Sequence, residues 1–124
     1  MIKEIRILIA DDHQIVSDGL KNILKDIEGL KVVASASNGE EAVEICKKNK
    51  EIDLILMDIQ MPGINGYEAT RQIREFNKNV VIIAQTAFGL SGDKEKSIEA
   101  GCNEYISKPI IKENLLALIQ KHFS

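Results

Sequence analysis

Residues 54–63 read LILMDIQMPG. An apolar run of this kind, closed by a Pro-Gly turn, has the composition of a strand covered on both faces. A strand of that type should not end on a bare carboxylate, because an ionised group at the mouth of a core is costly unless something pairs with it. Asp58 therefore poses two questions: which fold covers this strand, and what else arrives at its carboxyl end.

Four other runs, Ile5–Ala10, Lys31–Ala36, Val80–Gln85 and Glu104–Ser107, match Asp53–Asp58 in being rich in Ile, Val or Leu and too short for globular helices. Each precedes a segment of helical period. In Gln14–Ile27 the residues Val16, Leu20, Ile23, Leu24 and Ile27 share one face, and Glu40–Asn49 repeats the pattern with Ala42, Val43 and Cys46. Tyr67–Phe76 aligns Ala69, Ile73 and Phe76, and Glu113–Phe123 aligns Leu115, Leu118 and Ile119. Gly92–Ala100 is the weakest, with five charges and only Ile98 and Ala100 expected as anchors. Strict alternation of strand and helix predicts an α/β domain: a doubly wound, five-stranded parallel sheet with helices on both faces. One domain is expected over residues 1–124, with no output domain in this chain.

Composition narrows the function. The net charge of −3 argues against general affinity for nucleic acid or anionic membranes. No apolar run approaches the roughly 18 residues of a membrane span, and the N-terminus lacks the pattern of a secretory signal, so a cytoplasmic setting is expected. Cys46 and Cys102 belong to neither a CxxC pair nor a zinc spacing, and both are expected to be buried free thiols.

In doubly wound folds ligands bind beyond the carboxyl ends of the strands. The first strand ends in Asp11-Asp12, the third in Asp58 and the fourth beside Thr86, while Lys108-Pro109 follows the fifth. Taken singly, each has an ordinary reading: Asp11 and Asp12 as a helix N-cap, Asp58 as a turn residue, Thr86 as a strand end, Lys108 as a solvated charge. Taken together, they change the electrostatics. At an effective dielectric near 20, two carboxylates ~4 Å apart repel by about 4 kcal/mol, so the cluster requires cations. Lys108 supplies one charge and a divalent ion two; an all-oxygen site suits Mg²⁺ better than zinc. Mg²⁺, a carboxylate, a lysine and a hydroxyl form a set suited to phosphoryl transfer, with Asp58 as nucleophile.

The segments ILIADDHQIV, LILMDIQMPGINGYEATRQIR, VVIIAQTAF and AGCNEYISKPI together resemble the receiver (response-regulator) domain of two-component signalling, and the resemblance runs along essentially the whole chain. It implies that Asp58 takes a phosphoryl group from a phosphohistidine of a sensor histidine kinase or histidine phosphotransfer protein. It further implies that Asp11, Asp12, Asp58 and the Gln60 carbonyl hold Mg²⁺, that Thr86 and Lys108 bind the phosphoryl oxygens, and that Thr86 and Tyr105 move in the switch. A cis Lys108-Pro109 bond belongs to the same pattern. On the residues alone, Tyr105 reads equally as a rim tyrosine with a wet hydroxyl.

Ala87 leaves room beside Thr86, and Gln60 and Phe88 stand where the family tunes hydrolysis of the acyl phosphate. Phe88 cannot orient a water, so a long-lived phosphorylated state is expected. His13 is expected to face water at a helix start, and His122 to be a surface residue favoured by a helix C-terminus. The output face is expected on Gly92–Ala100, the fifth strand and the last helix, with a monomer or a weak dimer through that surface and an unknown output partner. MDIQMPGINGYEATRQIR and TAFGLSGDKEKSIEAG look most like receivers of hybrid sensor kinases, whereas IRILIADDHQIVSDGL is closer to those of DNA-binding regulators. Two alternatives stand beside the phosphoacceptor: a receiver that binds partners without phosphorylation, and an aspartyl-phosphate phosphatase. The latter wants an acid two residues beyond its nucleophile, where this chain has Gln60.

Overall fold

The computed structural model describes residues 4–86 and 93–123. Ala87, Phe88 and Gly92 lie outside these, as does the side chain of Asp93. Five strands, β1 (Ile5–Ala10), β2 (Leu30–Ala36), β3 (Leu54–Asp58), β4 (Val81–Thr86) and β5 (Glu104–Ser107), alternate with α1 (Gln14–Leu24), α2 (Gly39–Lys48), α3 (Gly66–Arg74), α4 (Asp93–Ala100) and α5 (Lys112–Phe123). All strand pairs are parallel, in the order β2-β1-β3-β4-β5. The order reverses at β1, which opens a crevice between the carboxyl ends of β1 and β3.

Alternation along the strands builds two cores. Ile7 and Ile9, Leu54 and Leu56, and Ile83 and Ile106 face Leu20 and Leu24 of α1 and Leu115 and Ile119 of α5. Leu8, Ile55, Met57, Ile82 and Ala84 face the other way, against Ala42, Val43 and Cys46 of α2 and Ala69 and Ile73 of α3. Cys46 and Cys102 are buried and free, and burial pushes the Cys46 thiol up to about 11, which keeps it protonated and inert.

The amphipathic patterns locate every element but miss three local details. Helix α1 stops at Leu24, three residues before Ile27, because the Ile27 N–H donates to the Leu24 carbonyl at 3.2 Å in a tightened turn, and Gly29 then takes φ +88° to reach β2. Ile27 still packs on the core. The α1 N-cap is His13, not Asp11 or Asp12, and its side chain makes no capping bond. In α4, Ser97 and Ala100, three apart, are the buried pair, whereas Ile98 is 51% exposed. The phase of a lightly apolar helix is not readable from one isoleucine.

At the amino end of β4, Arg74 works as a clamp. Its guanidinium donates to the carbonyls of Gly101 (2.9 Å), Val80 (2.7 Å) and Asn77 (3.2 Å) and to Asn103 Oδ1 (2.8 Å). The planar fork thus joins α3 to the segments before β4 and before β5, leaving the carboxyl ends free for function.

Candidate functional site

Strand phase puts the charged groups on one face. Asp11 continues the Ile7 and Ile9 series, Asp58 that of Leu54 and Leu56, and Lys108 that of Ile106, all toward the α1/α5 side at the carboxyl rim. Asp11 and Asp58 are buried there, and Asp12 is exposed. Lys108 Nζ lies 3.2 Å from Asp11 Oδ2 and 3.3 Å from Asp58 Oδ2. The ammonium is the ion-pair partner of both oxygens, and neither accepts a well-aligned hydrogen bond. The other oxygens are fixed by the chain itself: Asp58 Oδ1 accepts the Gln60 N–H at 3.1 Å, and Asp11 Oδ1 accepts the His13 N–H at 2.9 Å. The Lys108-Pro109 peptide is cis.

The Asp58 carboxyl is raised above the usual carboxylate range. Burial is the main cause and the Asp11 charge the second, with Lys108 and the Gln60 N–H offsetting part of it. A buried acid with a raised pKa and a free oxygen is in need of positive charge. Ligand atoms of Asp11, Asp12, His13 and Asp58 lie within 4.8 Å of one another, close enough for one metal ion. Three carboxylate oxygens with water alongside suit a small hard cation. The donor set, with Asp11 Oδ2 lacking a well-aligned hydrogen bond, therefore fits the expected metal.

His13 faces water at the start of α1, as expected, and also has acidic neighbours. Its side chain is well exposed, but Nδ1 sits 3.1 Å from Asp12 Oδ1 and 3.4 Å from Asp11 Oδ1. His122 is not a free surface residue: with Lys121 it holds Glu104, at 3.0 and 2.7 Å, and those two hydrogen bonds lower the Glu104 carboxyl. The pair ties α5 to β5.

Thr86 is buried at the end of β4, and its carbonyl accepts the Lys108 N–H at 2.8 Å. By strand phase its side chain points to the α2/α3 side, and among the described residues its hydroxyl reaches none of the three carboxylates. Tyr105 is half-buried against that same core. Gln85 escaped the sequence reading. It is fully buried, its amide has no partner, and its register places it opposite Asp58. The available signal was a single polar residue inside VVIIAQT.

Comparison with known proteins gives a consistent picture. The profile of the response regulator receiver domain matches residues 7–120. "Response regulator UvrY" of Escherichia coli K12 is 41% identical over 120 residues, covering 97% of this chain and 55% of that protein. The chain thus spans about half the length of this relative. Among solved structures, the complex of the Saccharomyces cerevisiae histidine phosphotransfer signalling protein Ypd1 with the receiver domain of its downstream response regulator Ssk1 aligns with a TM-score of 0.86 and 34% identity, covering 99% of this chain and 91% of that one. A CheX–CheY–BeF3–Mg complex from Borrelia burgdorferi aligns with a TM-score of 0.90 and 29% identity, covering 98% and 91%.

Proposed function

This chain belongs to the response regulator receiver family, and on that premise we propose that Asp58 is its phosphoacceptor, loaded from a phosphohistidine of a sensor kinase or phosphotransfer protein in a Mg²⁺-dependent reaction. The observation that carries this reading is the state of Asp58 Oδ2: buried, without a well-aligned hydrogen bond, and 3.3 Å from the Lys108 ammonium. The Gln60 N–H immobilises one carboxylate oxygen and leaves the other as the attacking atom. Oδ2 forms a bond to phosphorus while the phosphorus–nitrogen bond of the donor breaks, its electron pair staying on the imidazole. The product is an acyl phosphate on Asp58. Lys108 neutralises charge on the transferred oxygens, and Thr86, one residue beyond the β4 neighbour of Asp58, receives one of them once its side chain turns from the α2/α3 side toward the rim. Asp11, Asp12, Asp58 and the Gln60 carbonyl would hold a divalent ion, which would supply two further positive charges.

The chain is a regulatory domain that operates in the cytoplasm. Ile15, 88% exposed, and Ile111, 53% exposed, flank the acidic rim and offer a donor protein apolar footing next to Asp58. Output runs through α4, β5 and α5. That face carries a groove of about 750 Å³ lined in part by Tyr105, Ile111, Asn114 and Leu118, and α4 presents almost no apolar anchor to resist a shift. Tyr105 and Thr86 are its switch pair, and any self-association is weak and uses this surface.

Intact-mass analysis after incubation with acetyl phosphate tests the acceptor reading: one phosphoryl group is gained with Mg²⁺ and none with chelator. Equal uptake in both conditions overturns the metal assignment, and no uptake from either acetyl phosphate or a phosphorylated donor protein overturns the function. A second outcome concerns stability. At free Mg²⁺ ten times its dissociation constant the fold gains ~1.4 kcal/mol, a rise of several degrees in melting temperature. Ca²⁺-free scanning calorimetry reads it directly, and a melting temperature indifferent to Mg²⁺ counts against the site.

A further inference from the structure

Gln85 is a fully buried residue whose side-chain nitrogen and oxygen both lack a partner. A buried amide without hydrogen bonds is destabilising, and an apolar residue at this point of a strand would fill the same space at no such cost. Its position suggests a use. Gln85 pairs with Asp58 on one side and with Ile106 on the other, in parallel register, so all three side chains share the α1/α5 face. Lys108 stands two residues beyond Ile106 on that face and must reach from β5 across β4 to come within 3.3 Å of Asp58 on β3. Gln85 is the β4 residue in register with Asp58 on that face.

The chemistry is complementary. Lys108 carries three N–H donors, and its two short approaches are to Asp11 Oδ2 and Asp58 Oδ2. The Gln85 carbonyl oxygen can accept from the ammonium, and the Gln85 N–H can donate to Asp58 Oδ2, which itself lacks a well-aligned hydrogen bond. A single reorientation of the Gln85 amide therefore satisfies both of its orphaned atoms and holds the lysine and the carboxylate in register.

We propose that Gln85 is a positioning residue of the phosphoryl-transfer site, acting through Lys108: its buried amide holds the ammonium over Asp58 as the phosphoryl group arrives. The proposal rests on Asp58 being the acceptor. Gln85→Met keeps the volume and removes both polar atoms, and Gln85→Leu is a second variant in case the first packs poorly. Phosphoryl uptake from acetyl phosphate with Mg²⁺ is timed by intact mass in the parent, Gln85→Met, Lys108→Ala and the double variant. Loss of one hydrogen bond to a charged group slows uptake by about tenfold in the parent background. In the Lys108→Ala background the same change has no further effect. Wild-type uptake by Gln85→Met, or an equal slowing in both backgrounds, overturns the proposal, the latter by showing a packing effect independent of the lysine.

If the parent itself takes up no phosphoryl group, the acceptor reading fails, and urea unfolding of the same four proteins judges Gln85 separately. A change in midpoint on Gln85→Met that depends on Lys108 supports the contact, and identical changes in both backgrounds overturn it.

Discussion

Asp58→Asn takes up no phosphoryl group from any donor, and in chelator at pH 7 it unfolds at a higher temperature than the parent. The first half follows from chemistry, since an amide oxygen is too weak a nucleophile to form the acyl phosphate. The second follows from burial and repulsion. The folded-state carboxyl is raised above its unfolded value by loss of water and by Asp11. Its stabilising contribution is therefore complete below the unfolded carboxylate range and is lost as pH rises through the folded value. Once ionised, the parent's acid is buried and crowded, and asparagine relieves it by an amount on the order of 1 kcal/mol, the common size of a single-site effect. The gain reverses in sign with Mg²⁺, because the parent then gains a ligand-binding contribution that the variant has largely lost. Melting curves with and without the metal read both effects. A variant less stable than the parent in chelator would show that Lys108 over-compensates the cluster.

Gly66→Ala is expected to destabilise the fold by about 2–3 kcal/mol, the upper part of the ~1–3 kcal/mol range for forcing an extra carbon into a packed interface. Gly66 opens α3 where the helix crosses the end of β3. A Cβ there would meet the Asp58 carbonyl oxygen and stand 2.8 Å from Ile59 Cα, both backbone atoms that cannot rotate away. The Gly66 N–H also donates to the Ile59 carbonyl at 2.9 Å, which fixes the approach. The better helix propensity of alanine, worth about 1 kcal/mol in a helix interior, does not offset the clash. Relief requires α3 to lift or the chain after Asp58 to move. The phosphoacceptor then shifts relative to Lys108, so uptake falls as well as stability. Urea unfolding together with timed phosphorylation checks both. Loss of stability at full uptake would mean that α3 alone yields.

Much of this architecture was legible in the chain. The five apolar runs were strands within a residue at each end, because strands covered on both faces need uninterrupted apolar character that little else explains. Asp11, Asp58 and Lys108 were legible as a cluster for the same reason: once the strands are parallel, their carboxyl ends share a rim. Boundaries of α1 and the phase of α4 were not, since both depend on which few contacts the rest of the fold offers. Nor were the partners of the two histidines. An exposed position says nothing about which carboxylate a ring nitrogen meets: the His13 ring turns back to its chain neighbour Asp12, and His122 meets Glu104 where α5 comes up to β5.

By itself, then, the sequence determined the fold class, the strand ends and the identity of the charged groups, because period and composition are local properties that a parallel α/β fold converts directly into position. Only the tertiary structure decided how those groups share charge. It put one ammonium between two buried acids, left one oxygen of each without a well-aligned hydrogen bond, and buried the unpartnered Gln85 amide on the β4 position opposite Asp58. The reason is physical: electrostatic pairing depends on distances across strands, and the β1, β3, β4 and β5 ends that meet here are set side by side by the sheet order and not by their spacing in the chain.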